Sequence, residues 1–208
     1  MKNMFVALAL LTLSLSNLTS CQKGDTQVVE GDGKSLVVYF SATGNTKAVA
    51  EEIVRLTGAD VLRIEAAKPY ATNPYDDQAL IQEEAYNDLR PAVKELIPAE
   101  QMAQYDTLYV GSPTWWHQPA MVVCTFLESY DLSGKVVIPF FTYGATTYLN
   151  ESMQKIYKVT ASSKHLPETL PVDIDPEDIQ HPQNDDSGIP TAGWPSGVAS
   201  WLKELGIR

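Results

Sequence analysis

The sequence predicts an α/β domain organised as a doubly wound parallel sheet with helices on both faces. Segments of strand character alternate along the chain with segments whose apolar residues recur at helical spacing. The strand segments are near-continuous apolar runs rather than alternating ones, as in Leu36-Val37-Val38-Tyr39-Phe40 and Val136-Val137-Ile138-Pro139-Phe140-Phe141. Continuous runs mark strands covered on both faces, which is the parallel, helix-sandwiched arrangement.

The first residues stand apart from that pattern. Met1-Lys2-Asn3 is a short positive start, Met4 to Leu15 is apolar except for Thr12 and Ser14, and Leu18-Thr19-Ser20-Cys21 follows. This is the pattern of an export signal, and its apolar run is too short for a mature transmembrane anchor. The closing tetrapeptide resembles the lipobox of bacterial lipoproteins, which implies a lipidated Cys21 at the mature N-terminus. The expected organisation is a signal peptide over 1–20, a polar, glycine-punctuated tether over 21–34 and one domain over 35–208. The expected location is the bacterial cell envelope, outside the cytoplasm. With Cys21 lipidated, Cys124 has no partner for an intrachain disulfide, and its apolar surroundings predict a core residue.

Formal net charge is −11, and loss of residues 1–20 leaves 14 basic against 26 acidic residues, or −12. Such an acidic body lacks the basic footprint of a nucleic-acid binder. Anionic lipid repels it too, so membrane contact is expected through the anchor only.

Within the domain, Leu36–Phe40 is the first strand, and Val49, Ile53 and Leu56 define a helix over Lys47–Thr57. Val61–Glu65 is the second strand. Two Pro-Tyr pairs, Pro69-Tyr70 and Pro74-Tyr75, then precede a helix over Asp76–Leu89. The connection to the third strand, Asp106–Gly111, is therefore long, and long connections in compact domains tend to be functional. Pro119 is expected at the first helical position before Met121–Tyr130. Lys135–Phe141 is the fourth strand, and Leu149, Met153, Ile156 and Tyr157 mark the next helix. A fifth strand is expected within Lys164–Val172, despite Pro167 and Pro171. Asp173–Gly193 reads as loop. Val198, Trp201, Leu202 and Leu205 define a closing helix between Pro195 and Gly206, with Trp201 in the core.

The chemistry gathers at three strand ends. Ser41-Ala42-Thr43-Gly44-Asn45-Thr46 joins the first strand to its helix with hydroxyls, an amide and a glycine. One hydroxyl there is ordinary helix capping. Three hydroxyls with an asparagine and a glycine exceed what a cap needs and point to a phosphate, held at the helix N-terminus by neutral donors. A Walker loop is excluded because the Gly-Lys-Ser/Thr ending is absent, and a dinucleotide fingerprint because there is one glycine. The third strand ends in Ser112-Pro113-Thr114-Trp115-Trp116-His117 and the fourth in Thr142-Tyr143-Gly144. In doubly wound sheets ligands sit beyond the carboxyl ends of the strands, so one edge collects a phosphate cradle, two indoles and a tyrosine. That set suits a flat, phosphorylated, aromatic ligand. Two adjacent tryptophans in a proline-flanked loop cannot both point into the core, so at least one is expected at the site. A phosphoacceptor domain is excluded by the lack of an acidic cluster after the first strand. A serine hydrolase lacks an elbow motif here, and His117, His165 and His181 are too isolated for a metal site.

These three loops, in this order and spacing, resemble those of the flavodoxin family across about residues 35 to 205. The link carrying Tyr70, Tyr75, Glu83, Asn87, Arg90 and Pro91 is similar to that of bacterial flavodoxin-like proteins. The resemblance implies a five-stranded flavodoxin-like sheet in the order 2-1-3-4-5, in three αβα layers, with FMN as cofactor. It implies that Ser41, Thr43, Gly44, Asn45 and Thr46 hold the FMN phosphate. Ser112, Pro113, Thr114, Trp115, Trp116 and His117 would then line the ribityl chain and one ring face, and Thr142, Tyr143 and Gly144 the other side. The expected function is lipid-anchored electron transfer, with a redox protein or a small-molecule acceptor as partner, in a monomer or weak dimer. Two alternatives stay open: an FMN-dependent NAD(P)H oxidoreductase of quinone-reductase type, and a binding module that has lost FMN. One departure stands out. Many flavodoxins carry glycine after the stacking aromatic, where this chain has His117 and Gln118. A non-glycine disfavours positive φ, so weaker stabilisation of the one-electron-reduced flavin is expected.

Overall fold

The computed structural model describes residues 34–143, 149–166, 187–188 and 196–207. Cys21, Gly144 and His181, the leader and residues 21–33 of the expected tether lie outside the described residues, while Lys34, expected as the end of the tether, opens the first strand. The elements, in order, are β1 (Lys34–Tyr39), α1 (Asn45–Thr57), β2 (Asp60–Arg63), a 3₁₀ turn (Pro74–Asp77), α2 (Gln78–Tyr86), α3 (Ala99–Met102), β3 (Tyr105–Trp115), β4 (Gln118–Pro119), α4 (Met121–Glu128), β5 (Val136–Thr142), α5 (Leu149–Val159), β6 (Lys164–His165), β7 (Ser187–Gly188) and α6 (Ser196–Glu204).

The parallel sheet runs β2-β1-β3-β5-β6, which is the expected order once the short β4 is set aside. β1 pairs Val37 with Val61 on one side and with Tyr109 on the other, and β3 pairs Tyr109 with Ile138. Alternate residues of each strand feed two cores. Leu36, Val38, Leu108, Val110, Val137 and Phe141 pack with Val122, Val123 and Phe126 of α4 and Leu149, Met153 and Ile156 of α5. Val37, Tyr39, Tyr109, Ile138 and Phe140 pack with Val49, Ala50 and Ile53 of α1 and Val198, Trp201 and Leu202 of α6. Each such Val, Leu, Ile, Phe or Met side chain, fully buried, contributes about 1.5–3 kcal/mol. This double burial is what the continuous apolar runs encode. Cys124 lies in the core as expected, and burial pushes its thiol up to about 12.

Several expectations need correction. β3 does not stop at Gly111 but continues to Trp115, then turns back so that Thr114 pairs with Pro119 and Trp115 with Gln118. Pro119 is therefore a strand residue, and α4 starts at Met121. Pro lacks an N–H, but on a two-residue edge strand it tolerates that loss. Within the stretch expected to be loop, Ser187–Gly188 forms β7, antiparallel to Phe141 and Thr142 of β5. Of the expected fifth strand, Lys164–His165 is β6, and 167–172 lies outside the described residues. Pro74 opens a 3₁₀ turn capped by Asn73, whose side chain accepts from the Tyr75 N–H. Proline suits that first helical position.

The long link is clamped rather than loose. Beyond β2, the Ala67 and Lys94 N–H groups donate to the Ala92 and Glu65 carbonyls. At the end of α2, Asp88 accepts from Arg90 at 2.7 Å and from Lys155 of α5 at 2.8 Å, while Arg90 also pairs with Glu128 of α4. The hydrogen bond from Arg90, then that from Lys155, holds the Asp88 carboxyl down to about 2. An unfolded Asp titrates near ~3.9. The native state thus binds fewer protons in that window, and this stabilisation is present above about pH 4 and lost as pH falls toward 2. Asp88 sits at φ 50, a region Asn also tolerates. Asp88→Asn should leave the backbone in place and flatten the fall of the urea midpoint between pH 5 and pH 2.5. An unchanged acid limb would show that the clamp is not what titrates.

Candidate functional site

At the carboxyl edge of the sheet lies a cavity of about 610 Å³. Thr43 and Asn45 come from the turn after β1, Pro113 to His117 from the end of β3 and its hairpin, and Thr142 and Tyr143 from the end of β5. Among the described residues no Asp, Glu, Lys or Arg lines it.

The first loop divides into an outer and an inner set. Gly44 is the N-cap of α1 at φ 101, a conformation that glycine adopts freely. It offers no side chain to cap the first-turn N–H groups, and that turn holds no acidic residue to compensate the helix dipole. Exposed Thr43 and Asn45 face the cavity beside this positive end. Ser41 and Thr46 are buried and do not line it. The Ser41 Oγ accepts from the Gly44 N–H at 3.1 Å and shapes the turn. The Ser41 carbonyl accepts from Arg63 at 3.0 Å. The hydroxyls of Thr46 and Thr142 share a hydrogen bond of 2.8 Å, which fixes the first loop to the end of β5. Ser112 is likewise a scaffold group: wholly buried, its Oγ donates to the Pro113 carbonyl and accepts from the Ala120 N–H.

The second loop is a tight hairpin. Trp116 and His117 are its central residues, at φ 49 and φ 66. Two positive φ values define the type I′ turn whose twist suits adjoining strands, and Asn-Gly is its usual sequence. The expectation that non-glycine residues here avoid positive φ is therefore overturned, and with it the reason for expecting a weakly stabilised one-electron-reduced flavin. The strained turn is braced from three sides. The Trp116 ring meets Tyr86 of α2 edge-on at 5.9 Å, and the His117 Nδ1 lies 3.7 Å from the Glu151 carboxylate of α5. Ser152 donates to the Thr114 hydroxyl at 3.2 Å. Trp115 instead leans into the core, in edge contacts with Phe40 and Tyr70 at 5.4 and 5.3 Å. Both indoles reach the cavity.

The link between β2 and β3 supplies residues that the motif reading missed: Pro74, Tyr75, Gln78 and Ile81 complete the lining. The length of the link and its Pro-Tyr pairs were the available signals. Behind this wall, the Tyr70 hydroxyl donates to buried Glu84 at 2.7 Å, and burial raises the Glu84 carboxyl above its usual range. Among the described residues no group of His, Cys, Asp and Glu is placed to hold a metal ion.

The flavodoxin family's sequence model matches residues 34–170. A Bacteroides uniformis protein described as a flavoprotein is 32% identical, with 64% of this chain and 87% of that one covered and a TM-score of 0.55. A second such protein, from Bacteroides eggerthii, is 26% identical, with 85% and 100% covered and a TM-score of 0.60. A Lactobacillus acidophilus flavoprotein, solved in complex with FMN, is 20% identical over 64% of this chain and 90% of that one, with a TM-score of 0.54, which is a likeness of fold. No curated protein matches. Sheet order, the three loops at one edge and the match over most of the domain agree: the chain belongs to the flavodoxin family.

Proposed function

We propose that this protein binds FMN in the edge cavity and carries electrons while tethered by lipid on Cys21 outside the cytoplasm. The observation that carries the reading is the chemistry of the cavity. Its α1 end offers helix N–H groups, Thr43 and Asn45 to a phosphate. Its hairpin end offers Trp115 and Trp116 to a ring, and among the described residues no Asp, Glu, Lys or Arg lines the space between. A phosphate at a helix N-terminus needs no cation, and the volume lies within the usual range of small-molecule sites, roughly 300–1,000 Å³. The residues present therefore fit FMN, and the FMN complex of the Lactobacillus acidophilus relative supports the assignment. FMN, once bound, supplies one- and two-electron transfer; the protein supplies binding and orientation. Thr43, Asn45 and the first turn of α1 would hold the phosphate. Trp116 and His117 would bound the ring, while Thr46–Thr142 and Ser112 keep the loops in place.

The test is the visible spectrum and cofactor mass of protein purified from its native membrane. Flavin bands, and a mass shift on the peptide bearing Cys21, are expected. Cys21→Ser should move the protein out of the membrane fraction with its flavin. Protein without flavin would refute the cofactor assignment. A Cys21→Ser protein still in the membrane, with no lipid on the wild type, would refute the anchor. The wall added by the β2–β3 link, Pro74 to Ile81, favours a second reading: an FMN-dependent NAD(P)H oxidoreductase with a roofed substrate space. Rapid reduction by NADH or NADPH, with turnover on a quinone, would select it over the carrier.

A further inference from the structure

We infer that Tyr75 and Gln78, from the link between β2 and β3, form a ring-binding wall for the cofactor; this rests on the FMN reading above. Gln78 and Ile81 are spaced i, i+3 and share one face of α2, and that face lines the cavity together with Pro74 and Tyr75 of the preceding 3₁₀ turn. The wall has the chemistry of a planar heteroaromatic guest: a proline, an aromatic ring, an aliphatic side chain and one carboxamide. Its donors are one phenol and one carboxamide, without the cluster of first-turn N–H groups that the α1 end offers to a phosphate. At its far end α2 touches the hairpin through Tyr86 and Trp116, 5.9 Å apart, so wall and hairpin bound the same chamber. The wall is held in place by Asp88, Arg90 and Lys155 and by the Tyr70–Glu84 hydrogen bond, none of which lines the cavity.

Tyr75 is 82% exposed, so its ring makes little packing contact of its own and is available to a guest. Gln78 is exposed as well. An aromatic ring closing on a bound ring gains both buried area and a ring–ring contact. The carboxamide of Gln78 can donate and accept at the polar edge of a heterocycle.

The experiment is a fluorescence titration of full-length apoprotein with FMN, riboflavin and lumiflavin, comparing wild type with Tyr75→Ala and Gln78→Ala. Both side chains are exposed, so melting temperature and circular dichroism should be unchanged. Tyr75→Ala should weaken all three ligands by about tenfold, and Gln78→Ala by about fivefold. The equal loss with lumiflavin, which has neither ribityl chain nor phosphate, reports ring contact. If wild type binds the three flavins and the variants bind them as tightly, the wall is not a binding element and the inference falls alone. A loss with FMN that vanishes with lumiflavin would also overturn it, by placing the contact on the chain or phosphate. If wild type binds none of them, the FMN reading fails and takes this inference with it.

Discussion

Thr43→Asp should abolish FMN uptake while leaving the domain as stable as the wild type. Thr43 is exposed at the entry to α1, where a carboxylate complements the helix dipole and stabilises by about 0.3–1 kcal/mol. The same carboxylate removes a hydroxyl donor to a phosphate, a charged-partner hydrogen bond of about 1.5–3 kcal/mol. It also adds like-charge repulsion of about 1–4 kcal/mol at contact distance. The sum, about 3 kcal/mol or more, weakens FMN by at least two orders of magnitude. Riboflavin, which lacks the phosphate, should lose far less, and that contrast assigns the effect to the cradle. Copurification of the variant with full FMN would show that the turn after β1 does not hold the phosphate. Thr46 is unsuited to the same experiment. It is 1% exposed and bonded to Thr142, so a carboxylate there would unfold the loop rather than repel a ligand.

The second large effect is on stability. Gly111→Val should destabilise the domain by about 3 kcal/mol or more, measured as a fall in urea midpoint at constant slope. A Cβ at Gly111 would stand 2.8 Å from the Tyr39 Cβ and closer still to the Phe140 ring. These atoms belong to β1 and β5, the two strands that flank β3 and end in the first and third loops. The Tyr39 Cβ is fixed by its own backbone and cannot move aside without shifting the sheet, so even Gly111→Ala should cost about 1–3 kcal/mol. A Gly111→Val protein with unaltered midpoint would mean that Phe140 has room to swing away.

Most of the scaffold was readable because burial on both faces leaves a plain mark. Val37, Val38, Tyr109, Val110 and Val137 form runs that fit only a covered parallel strand, and Ile53, Ile156 and Trp201 keep helical phase beneath them. The site edge is legible in the three strand ends of a doubly wound sheet, and the sheet order in the resemblance of the three loops. The hairpin after β3 is hidden in the sequence for a local reason. Its turn carries Trp116-His117 where Asn-Gly would have announced it, and the brace that makes this tolerable comes from Tyr86, Glu151 and Ser152, remote in sequence. In the sequence Pro119 carries the signature of a helix start, its commonest role, because nothing local shows that β3 turns back onto it. The inward roles of Ser41, Thr46 and Ser112 were hidden likewise: a hydroxyl reads the same whether it faces a ligand or a neighbouring loop.

That no Asp, Glu, Lys or Arg lines the cavity among the described residues has a kinetic consequence. The protein as a whole carries a formal charge of −11, so a doubly negative guest approaches through a repulsive field and finds no Lys or Arg among the described lining residues to draw it in. Capture must therefore rely on short-range contacts made after encounter. Mobile ions shorten the reach of that field, to about 8 Å at physiological ionic strength. Added salt should thus speed the docking of FMN, the reverse of the behaviour of a phosphate site built from lysine and arginine.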